Sequence, residues 1–260
     1  MMPWVLGAVG LLLAALAAFR FVFVPWGVRW GATDPEHRTP MPGDDWTPAE
    51  PDRMRLVMTR AVSIAAPAED VWPWIAQLGR GAGWYSYDAV DNGRRPSASH
   101  LVAWIPPPRL GDATAIGYLR HLEPGRRLGW WAPGEPWLGS HVRMGAVYLV
   151  SAEGQGARLV QRIAADGKGW SKGLVKNLFV LVDTLMSRRQ LLGIRERVER
   201  FGTRPEDPAR PDTGQRDQFQ LYGCIYADGE RSGVPGKEAG ERWRERALVD
   251  LGERMGAPRS

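Results

Sequence analysis

An apolar run near the N-terminus is the strongest hydrophobic pattern in the chain. From Trp4 to Val24 the sequence is apolar apart from Arg20. As a helix this run would be about 30 Å long, which matches the hydrocarbon core of a bilayer. We therefore predict a transmembrane anchor within residues 1–30. A cleaved signal peptide is the alternative, but no Lys or Arg precedes the run, and the run is long for a signal sequence.

The residues after the run predict how the anchor joins the rest of the protein. The first basic residues, Arg20 and Arg29, lie toward its C-terminal side, so the positive-inside rule predicts a cytoplasmic soluble domain. Residues 31–55 are rich in Pro, Asp and Gly and have no hydrophobic periodicity. This composition predicts a linker that holds the folded domain away from the membrane.

The folded domain is predicted to begin near Leu56. Alternating apolar positions indicate a strand over 56–64, and Pro67 then stands where a helix would start. A glycine-rich turn follows that helix and leads into an aromatic and acidic segment. The helix and the segment together contain, in order, Val71, Trp72, Trp74, Ile75, Leu78, Trp84, Tyr85, Tyr87, Asp88, Asp91 and Asn92.

Short apolar stretches separated by turn residues follow between 101 and 165. Such short connections predict an antiparallel meander, because parallel strands need longer crossovers. The longest helical pattern of the soluble part then runs from 173 to 201. We predict an α+β fold for residues 56–201, with strands at 115–122, 127–132, 141–151 and 157–164.

Residues 202–260 differ in character from the predicted domain. They are polar and rich in Pro and Gly, with an apolar island at 219–226. The spacing of apolar residues allows an amphipathic helix at 238–255. We predict a polar C-terminal extension of low order.

The positive charge is concentrated in the predicted domain. The chain carries a net charge of +5, and residues 56–201 alone carry +7. A basic domain beside a bilayer favours anionic lipid headgroups. Nucleic acid is the other partner that basic charge suggests, but no Lys/Arg-rich run or nucleic-acid motif supports it, so none is expected. The single Cys224 excludes an internal disulfide framework and suits a reducing compartment.

Four segments of the predicted domain share a pattern with a known family: VSIAAPAEDVWPWIAQLG (62–79), AGWYSYDAVDN (82–92), LEPGRRLGW (122–130) and SRRQLLGIRERVERF (187–201). Together they resemble the START / birch-pollen-allergen / polyketide-cyclase (SRPBCC) superfamily, and specifically its bacterial membrane-anchored members of unknown function. The resemblance covers about 56–201. It implies a helix-grip fold, in which a curved antiparallel sheet wraps around a long C-terminal helix and leaves a hydrophobic cavity between them. Members bind lipids, sterols, polyketides or other apolar molecules, some catalyse cyclisation or dehydration, and no catalytic residue is shared by all.

Aromatic residues are the main candidates for contact with a ligand. In the implied fold they would line the cavity, whereas in an ordinary domain the same residues form the core. Arg143 and Arg162 alternate with apolar residues on their strands, so they face either solvent or the cavity. Asp88 is the best candidate for a catalytic group. The candidate ligand-binding residues are Trp84, Tyr85, Tyr87, Asp88, Trp104, Trp130, Arg143 and Arg162.

Three other motifs favour structural roles. Residues 169–173 have the G-x-S-x-G pattern of a hydrolase nucleophile, but no histidine follows Ser171, so capping the long helix is the simpler role. The glycines of 79–83 follow a helix rather than a strand, which argues against a dinucleotide site. The acidic residues of 88–92 lack EF-hand spacing and the four histidines lack zinc-site spacing, so neither a metal nor a cofactor is expected.

The combined pattern predicts a membrane-anchored protein that binds a hydrophobic small molecule or lipid in a helix-grip cavity. Two alternatives stay open. One is an enzyme of the cyclase or aromatase type, in which Tyr85, Tyr87 or Asp88 transfers protons. The other is a protein-interaction module that uses residues 219–255 as its partner surface.

Overall fold

The computed structural model of the protein describes residues 3–92, 94, 96–103, 105–114, 117–137, 140–169, 173–203, 245–249 and 251. Its helices are α1 (Pro3–Ala18), α2 (Val24–Val28), α3 (Asp34–Arg38), α4 (Ala68–Ala76), α5 (Asp88–Asp91) and α6 (Leu174–Phe201), and a π-helical turn, Phe19–Phe23, joins α1 to α2. Its strands are β1 (Arg53–Ile64), β2 (Ala113–Thr114), β3 (Gly117–Glu123), β4 (Arg127–Trp137), β5 (Ser140–Glu153) and β6 (Gly156–Lys168).

The six strands of the described chain form one curved antiparallel sheet in the order β1-β6-β5-β4-β3-β2. The last strand lies beside the first, and Arg53 to Ile64 of β1 pair with Lys168 to Ala157 of β6 without interruption. The predicted α+β class, the antiparallel meander and the long helix after it are confirmed. The strands are longer than predicted, since β1 begins at Arg53 and β6 ends at Lys168.

The inner face of the sheet packs against α4 and α6. Alternate residues of the strands point to this side, as the period of two requires, and they meet the apolar stripe of α4. Trp74 of α4 is fully buried, and its indole N–H donates to the Gly202 carbonyl at the end of α6 over 2.9 Å. The two helices and the sheet therefore share one core.

Residues 31–52, within the segment 31–55 that was predicted to be a linker, lie against the outer face of the sheet. Trp46 is only 6% exposed and packs edge-on against Trp131. A Cβ atom on Gly129 or Gly145 would lie 2.8 Å from the Trp46 ring, so glycine at these two strand positions makes room for it. We call residues 31–52 the strap, since β1 begins at Arg53. Its few apolar residues make nonlocal contacts, which is why periodicity missed them.

The N-terminal helix Trp4–Val28 is long and apolar enough to cross a membrane, by length and composition. Its last turns are docked on the domain. Gly27 is buried, and a Cβ atom there would lie 2.6 Å from the Thr184 hydroxyl of α6, so only glycine fits without displacement. The buried Arg60 of β1 donates through Nε to the Gly27 carbonyl over 2.7 Å.

The described part of the C-terminal extension also touches the outer side of the sheet. Residues 245–249 are helical, within the predicted 238–255. Ala247 is fully buried in the cluster that contains Trp46 and Trp131. The apolar island at 219–226 lies outside the described residues. The domain boundaries at 202 and 260 therefore remain predictions.

If the strap is part of the core, shortening its tryptophan must destabilise the domain. We expect Trp46→Ala to lower the free energy of unfolding by about 3–5 kcal/mol, because it leaves a large cavity against the sheet. Thermal and denaturant unfolding in detergent would measure this. Asp45→Ala changes an exposed neighbour and should cost less than about 0.5 kcal/mol. Equal stability of the two variants would contradict the docked strap.

Candidate functional site

The aromatic segment after α4 is a packed wall rather than an open loop. Trp84 and Tyr85 are buried, whereas Tyr87 is exposed. Tyr85 has a positive φ of 58°, and its carbonyl lies against Gly193 of α6, where a Cβ atom would be only 2.4 Å away. The glycine in the middle of α6 thus permits this close approach.

The side chain of Tyr85 is also held from three directions. Its hydroxyl accepts a hydrogen bond from Gln77, its ring packs edge-on against Trp74, and the Arg197 guanidinium lies 4.7 Å from the ring centroid. Burial raises the pKa of the Tyr85 phenol well above its ordinary value. The phenol is therefore neutral, and these contacts fix it as part of the wall.

Trp130 lies on the inner face of β4 and meets this wall. Its ring is 6.3 Å from that of Trp84 in an edge-to-face arrangement. The Trp130 indole N–H is buried and has no hydrogen-bond partner among the described residues. A buried donor without a partner is costly, so this N–H is a place where a ligand could accept a hydrogen bond.

Asp88 is occupied by a structural task. Its two carboxylate oxygens accept hydrogen bonds from Ser97, one from the backbone N–H over 3.0 Å and one from the hydroxyl over 2.6 Å. These contacts tie the two ends of the 88–97 loop together. A carboxylate so engaged is poorly placed for proton transfer to a ligand.

Arg143 and Arg162 both lie on the outer face of the sheet, away from α6. Arg143 pairs with Asp166 and with Glu50 of the strap, the latter over 2.8 Å. Arg162 pairs with Asp44 over 2.8 Å and donates to three strap carbonyls, those of Glu36, His37 and Thr39. The structure gives both arginines the role of holding the strap. Trp104 lies outside the described residues.

A polar cluster occupies the inner face where β5 and β6 meet α6. The Tyr148 hydroxyl donates to Gln190 Oε1 over 2.7 Å, and Gln161 Nε2 donates to the same oxygen over 2.9 Å. Gln190 Nε2 in turn donates to the Trp84 carbonyl over 2.9 Å. Gln161 Oε1 has no partner within the described part of the chain. We call Tyr148, Gln161 and Gln190 the inner polar cluster.

Asp91 lies one turn after Asp88, and its carboxyl group has a pKa suited to a functional acid. Burial, followed by the negative charge of Asp88, raises the pKa of Asp91 to about 6, although the Ser86 hydroxyl opposes this by hydrogen bonding. Its Oδ1 is buried and lacks a partner among the described side chains and backbone. Its charge also adds to the rise in the pKa of Tyr148, which burial dominates. Asp91 therefore faces the same interior as the inner polar cluster.

The inner face is not fully sealed beside this cluster. Met144 and Ala146 of the central strand β5 are half-buried, although strands flank them on both sides. Neighbouring inner positions such as Tyr148 and Ile163 are buried. The space between sheet and helix is thus accessible at this end. An open surface groove of about 460 Å³ lies elsewhere, on the charged outer side of α6 around Arg195 and Glu196.

The candidate site therefore differs from the one that the sequence suggested. Trp84, Tyr85 and Trp130 come together on the inner side, while Arg143 and Arg162 do not join them. The inner polar cluster and Asp91 were missed as a site. The sequence feature that could have predicted them is the presence of polar residues at inward-facing positions of β5, β6 and α6. Among the described residues no group of three or more His, Cys, Asp or Glu could hold a metal ion.

Comparisons with known proteins leave the family open. No family model and no curated protein matches the chain. Among solved structures, it is similar to an uncharacterized protein of Rhizobium leguminosarum (10% identity, 57% of this chain and 97% of that one, TM-score 0.36). It is also similar to a protein of Chromobacterium violaceum (17%, 58% and 99%, 0.36) and to a protein of the dynemicin biosynthetic locus (18%, 61% and 51%, 0.31). These likenesses identify neither a family nor a function.

The environment of Asp91 predicts how the stability of the folded protein changes with pH. Because its folded-state pKa of about 6 exceeds the ordinary 3.8, protonated Asp91 favours the folded state at low pH, and this contribution is lost as the pH rises through 6. Asp91→Asn, which resembles the protonated acid, should therefore be more stable than the natural protein at about pH 7.5 and equally stable at about pH 4. Partial solvent exposure limits the gain to about 1–2 kcal/mol. A stability difference that is the same at both pH values would contradict the assignment.

Proposed function

We propose that the protein is a membrane-anchored binding protein whose ligand is a hydrophobic small molecule or lipid with a polar group. The ligand would lie between the inner face of the sheet and α6, as in a helix-grip fold. The observation that carries this is the set of buried polar atoms without partners, on Trp130, Gln161 and Asp91, in otherwise apolar surroundings. They are described residues of one interior region with access at Met144 and Ala146.

The two kinds of surface in this region suit the two parts of such a ligand. Aromatic and aliphatic side chains of the inner face would bury the apolar part, at about 0.8 kcal/mol per methylene. The Trp130 N–H would donate to the polar part, and Gln161 Oε1 would accept from it. A hydroxyl or a protonated acid has both functions. Polar atoms in a mostly apolar pocket set orientation rather than affinity.

The apolar N-terminal helix supports the membrane part of the proposal. Its exposed residues include Leu11, Leu12 and Phe21, and a helix with an apolar surface on all sides is typical of a membrane span. The domain packs directly on the end of this helix. An uncleaved anchor would therefore keep the open end of the inner face close to a store of apolar molecules.

Filling the space beside the inner polar cluster should displace the ligand. We expect protein purified in detergent to retain an apolar compound that organic extraction and mass spectrometry detect at about one per chain. Ala146→Phe should reduce the retained amount about tenfold, the effect of about 1.4 kcal/mol of lost affinity. Leu149→Phe places the same aromatic residue on the outer face of the same strand, and this variant should retain the compound. No retained compound in the natural protein, or equal retention in both variants, would contradict the proposal.

A second candidate function is an enzyme of the cyclase or dehydratase type. The observation that favours it is Asp91, because a carboxyl with a pKa of about 6 can both donate and accept a proton near neutral pH. Asp91 replaces Asp88 in this role, since Asp88 is bound by Ser97. Tyr148 would position the substrate, its phenol being held neutral by burial.

The same extraction separates the two functions. If Asp91 acts in catalysis, Asp91→Asn protein should retain a different compound from the natural protein, heavier by the mass of water for a dehydration. If the protein only binds, both should retain the same compound. Ser97→Ala weakens the loop tie at Asp88 and serves as the control for disturbance of the segment. A new compound in both variants would argue against a specific role of Asp91.

A further inference from the structure

The first half of α6 carries an exposed apolar stripe. Leu174 is 74% exposed, Leu178 36%, Val182 37% and Leu185 45%. Their spacing of four, four and three residues places them on one side of the helix. They lie on the side of α6 that faces away from the sheet, whose contacts are made by residues such as Val180. An apolar stripe of this length on a folded domain usually marks a contact surface.

The exposed side of α6 changes from apolar to charged residues after Leu185. Arg188 and Arg189 are exposed, and the exposed positions beyond them are Glu196, Glu199 and Arg200. The side of the helix is therefore apolar for its first three turns and charged for the rest. Such a gradient along one helix matches the change from lipid to water better than it matches a uniform protein partner.

The contacts of the N-terminal helix show which end of α6 is nearest the anchor. Val24 and Val28 pack in one cluster with Val175 and Phe179. Gly27 contacts Thr184, and three residues later Trp30 lies against Arg188, four residues further along α6.

These contacts set the two helices side by side in the same direction. Gly27 to Trp30 of the N-terminal segment run level with Thr184 to Arg188 of α6. The apolar stripe is thus level with the last turns of the N-terminal helix. The first charges of the exposed side are level with its end, where the Arg188 guanidinium lies 5.2 Å from the ring centroid of Trp30.

The length of the N-terminal helix places this level at the membrane surface. Trp4–Val28 has 25 residues and is about 37 Å long, whereas the hydrocarbon core is about 30 Å thick. Its last turns therefore lie in the interfacial region on the side of the domain. An apolar stripe at this depth would contact acyl chains, and Arg188 and Arg189 would lie among the phosphates.

We propose that α6 is a second membrane contact: its stripe of Leu174, Leu178, Val182 and Leu185 is immersed in the same leaflet that the anchor leaves. The bilayer is the occupant of this surface. The inference rests on the proposed anchor but not on the proposed ligand. In this arrangement, one side of α6 packs against the inner face of the sheet, and the opposite side contacts lipid.

Depth-dependent quenching of a fluorophore in liposomes tests the inference on the full chain. Cys224 is the only cysteine, so Cys224→Ser provides a background for single labels with an environment-sensitive nitrobenzoxadiazole dye. Leu178→Cys and, independently, Leu185→Cys should be quenched about twofold by lipids with a doxyl group on the acyl chain. Glu196→Cys, further along the same side of α6, should not be quenched. Liposomes of phosphatidylcholine and phosphatidylglycerol are suitable.

A third label separates failure of the inference from failure of the anchor. Leu12→Cys lies in the middle of the N-terminal helix and must be quenched if that helix spans the bilayer. Quenching at Leu12 without quenching at Leu178 and Leu185 would overturn the α6 contact alone. A blue-shifted but unquenched dye at Leu178 would mean that protein, from residues 204–244 or a second copy, covers the stripe, and this would also overturn it. No quenching at Leu12 would overturn both the anchor and the contact.

Discussion

The buried guanidinium of Arg60 is the interaction on which the arrangement of the protein depends. It belongs to the inner face of β1, and it pairs with Asp183 of α6 over 2.6 Å, donates to Thr184 over 2.9 Å and donates to the Gly27 carbonyl. The sheet, the long helix and the N-terminal helix are therefore joined by one side chain. Loss of a partner would leave a charge in the core at a cost of about 3–5 kcal/mol. Such a penalty makes the relative positions of the three elements specific.

This junction divides the interior into two environments. On one side of Arg60, apolar side chains of α2, β1 and α6 fill the space where the N-terminal helix meets the domain. On the other side, Gln161 lies opposite Arg60 across the strand pair, and Tyr148 lies opposite Gln161. A polar row thus crosses the inner face of the sheet. Its hydrogen bonds are mostly satisfied within the protein, which keeps the row rigid and leaves a few groups for another molecule.

The sequence predicted what depends on local periodicity and missed what depends on distant contacts. The strands and α6 follow from alternation, helical spacing and turn residues. The strap escaped because only Trp46 and a few neighbours are apolar, and their partners are glycines of distant strands. Asp88 and Asp91 lie one turn apart, so only the folded loop distinguishes the carboxylate held by Ser97 from the one that faces the interior. Arg60 was the sequence feature that could have indicated the junction, because its charge interrupts the apolar residues at the inward-facing positions of β1.

The docked strap limits how far the domain can move. A flexible linker of 25 residues would let a tethered domain wander about 25–30 Å from its anchor. Here most of that length of chain is folded against the sheet, and the Trp30 carbonyl accepts a hydrogen bond from the Ala61 N–H of β1 just after the N-terminal helix ends. If the N-terminal helix spans a bilayer as proposed, the domain has almost no reach of its own. It would then meet molecules by lateral diffusion within one membrane, without reaching across to a second one.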